Sequence, residues 1–404
     1  MAKTLMAVDA GTGSVRAVLF SLEGEQLGCV QQEWTHREDP RYPGSMDFDW
    51  VHNWDLARGC IRGVIEQTGV DPHDIAAVST TCMREGIVLY DKDGQEIWAC
   101  ANVDARSDDE VAQLVHMNPE LEKQIYRESG QTYALGALPR LFWVKNKMPE
   151  VYEKTAMCTM FNDWLIYKMT GVFSSEPSNA CTTGIFDLKA RDWDDKIAAS
   201  IGLKTGIFPK ISECGTVVAK VGAKGAAETG LAEGTPVVAG GGDAQLGCVG
   251  VGVVDANQAA IFGGSFWQYE YNTDEAKTDE HCRVRVNCHS VPGIWQYEAL
   301  AFKPGMVMRW YRDAFCQYEK ELSKTTGRDP YDLMNEKAKD IPAGCYGMMC
   351  AFSDVMNYIS WRHASPMFIN FDFDPDKFNR YTFYRAIMEN TAMVTYGHMQ
   401  LVRE

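Results

Sequence analysis

Residues 5–20, "LMAVDAGTGSVRAVLF", set two apolar runs on either side of a turn built from glycines and hydroxyls, and residues 259–271, "AAIFGGSFWQYEY", repeat the plan. The run from Leu5 to Val8 reads as a buried strand. Val15, Ala17 and Leu19 alternate with Arg16, Val18 and Phe20 as a second strand would, so the stretch predicts a hairpin. Its connection, Gly11-Thr12-Gly13-Ser14, offers glycines for positive φ, outward backbone amides and two hydroxyls. Such a turn is either a phosphate nest, with Asp9 at the strand mouth holding Mg²⁺ through water, or a glycine-rich hairpin with a capping aspartate. The repeat favours the nest, because two similar strand-turn-strand units point to two similar domains facing each other.

Composition removes several classes of function. The 404 residues suffice for two or three domains, and 46% hydrophobic with 23% charged residues and no low-complexity tract is the make-up of a globular chain. Fifty-five acidic against 39 basic residues give a net charge of −16. That balance argues against a general binder of nucleic acid or anionic membrane, which needs clustered Lys and Arg. An anionic ligand therefore needs a local site of amides and a cation. Thirteen cysteines, an odd number with no CxxC pair, and no secretory segment before the first strand predict the reducing cytoplasm. In "HCRVRVNCHS", residues 281–290, neither Cys/His pair has zinc-finger spacing and Val284 and Val286 alternate as in a strand. No apolar run reaches the roughly twenty residues of a membrane span.

Along the chain, a turn at Glu23-Gly24 precedes a third strand. A helix follows, capped by Asp47 or Asp49 and stopped at Gly69. Strands return from Ile75, with a turn at Asp93-Gly94. Three antiparallel strands, a helix and a further strand resemble the core of a ribonuclease-H-like ATPase domain. Residues from about 110 to 203 read as a mostly helical insertion beside a cleft. "GTPVVAGGGDAQLG" reads as a buried strand running into a triple-glycine turn. A domain boundary is expected near Val254 to Asn257, giving an N-terminal domain over 1–254 and a C-terminal one over 255–404, and the chain is expected to end inside a helix.

Asp243 is the sharpest candidate: a carboxylate after three glycines at a strand end can take a hydroxyl proton, or it can cap the next helix. Arg84 and Glu85 in "MREG" are either a surface pair or donor and acceptor for a polyol. Asp104 and Arg106 fit helix capping, and Trp98 and Trp267 fit a core as well as a pocket wall.

Taken together, these residues resemble the FGGY family of carbohydrate kinases from the first strand to the last residue. The resemblance implies an α/β fold of two ribonuclease-H-like domains of the actin/hexokinase type around a cleft, the second truncated, because the later adenosine-holding loop of family members does not occur before "LVRE". "DAGTGSVRA" is similar to the first phosphate loop, which implies ATP phosphate and Mg²⁺ roles for Asp9, Gly11, Thr12, Gly13, Ser14 and Arg16. "FGGSFW" resembles the second phosphate loop, with Gly263, Gly264 and Ser265 toward the nucleotide and Trp267 toward the substrate. "GGGDAQ" resembles the segment that carries the catalytic base, Asp243, with Gln245 beside the substrate. "MREG" implies Arg84 and Glu85 as hydroxyl ligands, and Asp104 joins them. Within the family, "CMREGIVLYD", "IWACANVDAR", "PSNACTTG" and "RWYRDAF" resemble members that use ATP to phosphorylate the terminal hydroxyl of linear dihydroxypentanedione, a quorum-sensing signal. A xylulokinase, a glycerol kinase or an impaired ligand-binding fragment are the alternatives. A homodimer or a sugar-phosphotransferase regulator is the partner that such kinases imply, with no nucleic acid and no membrane.

Overall fold

β1 (Thr4–Ala10) pairs antiparallel with β2 (Ser14–Ser21), from Thr4 opposite Ser21 to Ala10 opposite Val15, and β3 (Gln26–Glu33) extends the meander. The alternation is used as the sequence implies. Met6, Val8 and Ala10 sit opposite Leu19, Ala17 and Val15, all buried. In this computed structural model the described residues are 3–134, 136–264, 266–301, 303–352 and 366–404. Helix α1 (Trp50–Thr68) covers the buried face with Trp54, Ala57, Ile61 and Val64. Asp49 caps it by accepting from the His52 amide, and Gly69 closes it in the left-handed region at φ 64°. Asp47, the alternative cap, is bonded to Arg106 instead.

The α1 crossover delivers β4 (Ile75–Cys82) parallel to β1, on the side away from β2. β5 (Ile87–Tyr90) and β6 (Glu96–Cys100) follow. Then come α2 (Asp108–Met117), α3 (Leu121–Ser129), α4 (Ala137–Lys147), α5 (Pro149–Lys154), β7 (Met157–Met160), α6 (Phe161–Thr170) and the one-turn α7 (Pro177–Ala180). After these come the hairpin β8 (Phe186–Asp187) and β9 (Asp192–Trp193), and then α8 (Asp195–Ser200). This stretch is mainly helical apart from the short β8–β9 hairpin and β7, four residues too short to show a period, which pairs with β5 in a sheet ordered β6-β5-β7. Next are β10 (Val217–Lys220), α9 (Ala223–Thr229), β11 (Pro236–Gly242) and α10 (Asp243–Gly250). The main sheet runs β10-β11-β4-β1-β2-β3, with β11, β4 and β1 parallel.

Beyond these lie β12 (Ala259–Gly263), β13 (Trp267–Thr273), β14 (Arg285–Cys288) and β15 (Trp295–Ala301), in a sheet ordered β12-β13-β15-β14. The last part holds α11 (Pro304–Phe315), α12 (Gln317–Thr326), α13 (Pro330–Ala338), β16 (Met349–Ala351), β17 (Met367–Ile369) and α14 (Arg380–Arg403), around a core that includes Val307, Tyr311, Met334, Phe352, Tyr384 and Ile387. The chain divides into two compact units. One holds residues 1–256, 273–278 and 286–296, and the other holds 257–272, 279–285 and 297–404. Among the described residues no helix is long and apolar enough to cross a membrane.

The glycines of the opening turn act differently from expectation. Neither Gly11 nor Gly13 has a positive φ. The loop takes its course from bonds that hold its carbonyls, described below, and a Cβ on Gly13 would meet nothing within 4 Å. The glycines before Asp243 are a steric necessity: a Cβ on Gly240 would lie 1.5 Å from the Thr80 carbonyl oxygen on the neighbouring strand, and one on Gly242 would lie 2.9 Å from Arg84 Cδ. Accordingly Gly240→Ala is expected to destabilise by about 3 kcal/mol or more through overpacking against backbone. Gly13→Ala is expected to stay within about 0.5 kcal/mol of the parent. Urea unfolding of the two variants checks the contrast.

Candidate active site

Parallel strands in one sheet bring their carboxyl ends to one edge, the usual seat of ligands in open α/β sheets. Asp9 lies near the end of β1, Arg84 two residues past β4, and Asp243 directly after β11. Asp243 Oδ1 accepts from the Ala244 amide at 2.8 Å and lies 3.7 Å from Arg84 Nε. Its side chain is deep among protein atoms yet 51% open to solvent, so the carboxylate can be reached from one side. Burial pushes its carboxyl up from the ordinary range, Arg84 and the Ala244 amide oppose the rise, and the charges of Glu85 and Asp9 add to it, leaving it at about 6. A carboxyl there is ionised at neutral pH and still basic enough to take a proton.

Asp9 faces Arg16 across the β1–β2 pair, and Arg16 donates to Oδ2 through Nε at 2.8 Å and Nη2 at 2.7 Å. Oδ1 carries no protein hydrogen bond among the described residues. Also among the described residues, no group of three or more His, Cys, Asp or Glu side chains is placed to hold a metal directly. One free carboxylate oxygen suits Mg²⁺ held through water, since that ion keeps much of its hydration.

The loop between β1 and β2 is shaped by its carbonyls. Trp34 Nε1 donates to the Gly11 and Thr12 carbonyls at 3.0 and 3.2 Å, the Trp34 amide donates to the Gly13 carbonyl at 3.1 Å, and His36 Nε2 is 2.7 Å from the Thr12 carbonyl. A trans peptide points its C=O and the following N–H in opposite directions. With the carbonyls drawn inward, the amides turn outward, and those of Gly11, Thr12 and Gly13 have no acceptor among the described residues. Outward amides of this kind can receive an anion.

Arg84 and Glu85 are both 6% exposed, and Glu85 sits at φ 66°. The structure adds a residue beneath them that sequence reasoning missed. Arg140 on α4 is buried, and its guanidinium donates to the carbonyls of Glu85, of Asn102 at 2.6 Å and of Asp104 at 3.0 Å. No carboxylate pairs with it among the described residues. It ties the turn after β4 to the loop after β6. Asn102 in turn donates from Nδ2 to Thr12 Oγ1 at 3.0 Å, linking that loop to the one between β1 and β2.

Asp104 is corrected from ligand to support. Its carboxylate has no exposed surface and takes both Arg106, at 2.7–3.0 Å, and the Met46 amide at 2.6 Å, so no oxygen faces an opening. Arg106 stacks over Trp98 and Trp143, which places Trp98 in the core. Gln245 is fully buried, donates to Gln296 Oε1 at 3.0 Å, and its own Oε1, against Gly242, has no partner among the described residues. In the other unit, the Trp267 ring lies over Gly263, its cross-strand partner, where a Cβ would sit 2.3 Å from the indole. The Gly264 amide donates to the Phe266 carbonyl at 2.8 Å, so this turn, unlike the first, has that amide committed. Ser265 lies outside the described residues.

A reachable base, an arginine beside it, an outward row of amides and a carboxylate for a hydrated cation are the parts needed to transfer a phosphoryl group to a hydroxyl. Residues 4–250 match the model of the FGGY family of carbohydrate kinases, N-terminal domain.

This chain belongs to the FGGY family.

Autoinducer-2 kinase of Klebsiella pneumoniae is 47% identical over 392 residues, 97% of this chain and 74% of that protein. Autoinducer-2 kinase of Escherichia coli K12 is 47% identical over 401 residues, 99% and 76% of the two chains. Among solved structures, xylulose kinase from Rhodospirillum rubrum superposes with a TM-score of 0.84 at 22% identity, over 99% of this chain and 79% of that one. Plasmodium falciparum glycerol kinase with ADP gives 0.80 at 17% identity, over 97% and 76%. The fold is that of FGGY sugar kinases, and the family uses ATP.

Trp34 and His36 left a faint trace in the sequence: in "EWTHRE" they alternate onto one face of the chain leaving β3. Arg140 left a clearer one, a lone charge inside the apolar helix "ALPRLFWV". Trp34→Phe in this FGGY kinase removes the indole donor while keeping an aromatic ring. It is expected to cost about 1 kcal/mol of stability and to weaken MgATP binding several-fold, measured by thermal unfolding and by titration calorimetry.

Proposed function

We propose that this FGGY kinase transfers the γ-phosphoryl group of ATP to the terminal hydroxyl of linear dihydroxypentanedione, acting as an autoinducer-2 kinase. The observation that carries the chemistry is the meeting of Asp9, Arg84 and Asp243 at the ends of three parallel strands, with Asp243 at about 6. The choice of acceptor is supported by autoinducer-2 kinases at 47% identity along almost the whole chain.

In this scheme Arg84 and Glu85 orient the substrate by donating to and accepting from its hydroxyls, and Gln245 offers a further acceptor. The Asp243 carboxylate takes the proton of the attacking hydroxyl. The hydroxyl oxygen bonds to the γ-phosphorus as the bond to the departing ADP oxygen breaks. The amides of Gly11, Thr12 and Gly13, with the hydroxyls of Thr12 and Ser14, hold the phosphates, so positioning and electrostatics supply most of the catalysis. Asp9, fixed by Arg16, would hold Mg²⁺ through water, and the ion when bound neutralises phosphate charge. Gly263, Gly264, Ser265 and Trp267 are assigned to the second phosphate loop and substrate wall by resemblance, with residues 1–254 and 255–404 as the N- and C-terminal kinase domains. The proposed location is the cytoplasm, supported by thirteen cysteines that are all free thiols.

Two measurements test the scheme. Asp243→Asn is expected to lower kcat by about 10²- to 10⁴-fold, the usual worth of a general base, with the substrate KM little changed. Retained turnover would remove Asp243 as the base. A base near 6 must be deprotonated to act, so kcat/KM is expected to fall about tenfold between pH 7 and pH 5. A panel of dihydroxypentanedione, xylulose and glycerol with ATP identifies the acceptor. Preference for either of the last two would overturn the substrate assignment.

A further inference from the structure

The triple-glycine segment that presents Asp243 is held by a buried chain of hydrogen bonds that none of the roles above requires. β11 breaks register with β4 between Val238 and Gly241. A strand irregularity of this kind leaves main-chain groups without their ladder partners. The Gly242 amide donates instead to Ser178 Oγ at 3.0 Å. Ser178 Oγ lies 2.7 Å from Glu176 Oε2. The direction of these bonds is fixed by chemistry. An amide N–H can only donate, so Ser178 must accept from Gly242, and its single proton is left for the carboxylate.

Glu176 is built to receive it. The side chain is 1% exposed and also accepts from the Ser178 amide at 2.6 Å, the Asn179 amide at 2.9 Å and Cys214 Sγ at 3.2 Å. Burial raises its carboxyl above the ordinary range, while the bonds from Ser178, Cys214 and Asn179 pull the other way. The second buried acid, Asp163, is pushed well up, first by burial and then by the charge of Glu176. Of the two acids Glu176 receives the larger set of donors, which favours its charged form. Gly241 marks the fit of this layer, since a Cβ there would stand 2.8 Å from Ser178 Oγ and 2.7 Å from Ser290 Oγ.

We propose that Ser178, oriented by the Glu176 carboxylate, is a positioning residue for the phosphoryl transfer. By holding the Gly242 amide it fixes the peptide from which Asp243 projects and keeps that carboxylate beside Arg84. This assignment depends on Asp243 being the base. Gly242 is the cap residue of α10 and Asp243 its first residue, so a shift of the Gly242 peptide moves the Asp243 Cα directly. Arg84 approaches at 3.7 Å, a distance at which a small displacement weakens the pairing.

The test is Ser178→Ala, alone and combined with Asp243→Asn, in the full chain with ATP and dihydroxypentanedione. The single variant is expected to lose between about 10- and about 100-fold in kcat, the scale of an ångström-sized misplacement. Both KM values are expected to stay within about twofold, and the acid limb of the kcat/KM profile is expected to move to higher pH as Asp243 loses Arg84. Added to Asp243→Asn, Ser178→Ala is expected to cost nothing further, because it acts through a carboxylate already gone. Should Ser178→Ala not fold, Glu176→Gln carries the test with the same readouts, keeping the volume while removing the charge. Parent-like kcat and an unmoved acid limb, with Asp243→Asn inactive, would overturn the role of Ser178 alone. Turnover retained in Asp243→Asn, or absent from the parent chain, would overturn the reading of the base and this inference with it.

Discussion

β4 lies between β1 and β11 and runs parallel to both, and the site exists because of that placement. Antiparallel neighbours would have sent Asp9, Arg84 and Asp243 to opposite edges of the sheet. Parallel order instead stacks their strand ends, although the three residues come from distant parts of the chain. The arrangement needs crossover connections, which α1 supplies for β1 and β4, and it needs strands that can lie close at their ends. At the β4–β11 contact that closeness is met by removing side chains altogether, where Gly240 passes the Thr80 carbonyl.

An acidic chain that handles polyphosphate has to create attraction locally. The site does so with few mobile cations. Main-chain amides face outward from the first loop, Arg16 is committed to Asp9, and Arg84 is buried beside Asp243. Arg140 supplies a charge that no carboxylate among the described residues cancels, held by three carbonyls beneath the turn after β4. Such groups are already oriented when a ligand arrives, so little reorganisation is left for the reactive complex.

The meander, the α1 crossover and the strand leading to Asp243 were legible because each rests on local pattern: alternation, a cap, a stop, a run ending in glycines. Asp9, Arg84 and Asp243 stood out in the sequence at the ends of apolar runs, and the sheet brings those strand ends to one edge. What was hidden is what depends on pairing at a distance. Asp104 looks like a ligand in a loop until Arg106 and the Met46 amide are seen to saturate it. β7 carries too few residues to show a period, and it forms only because β5 offers an edge. The glycines of the opening turn suggested left-handed backbone, whereas the loop's course is set by an indole and an imidazole on the segment that follows β3. Nothing in residues 11–14 announces those partners.

That last feature changes where constraint falls. A loop whose peptides are oriented from outside asks little of its own side chains, and Gly13 opens onto empty space. The constraint on the loop's backbone therefore falls on Trp34, which lies 23 residues from Gly11 and holds its carbonyl. The residues that set this loop's backbone lie outside it in sequence, where a search confined to residues 11–14 would pass them over.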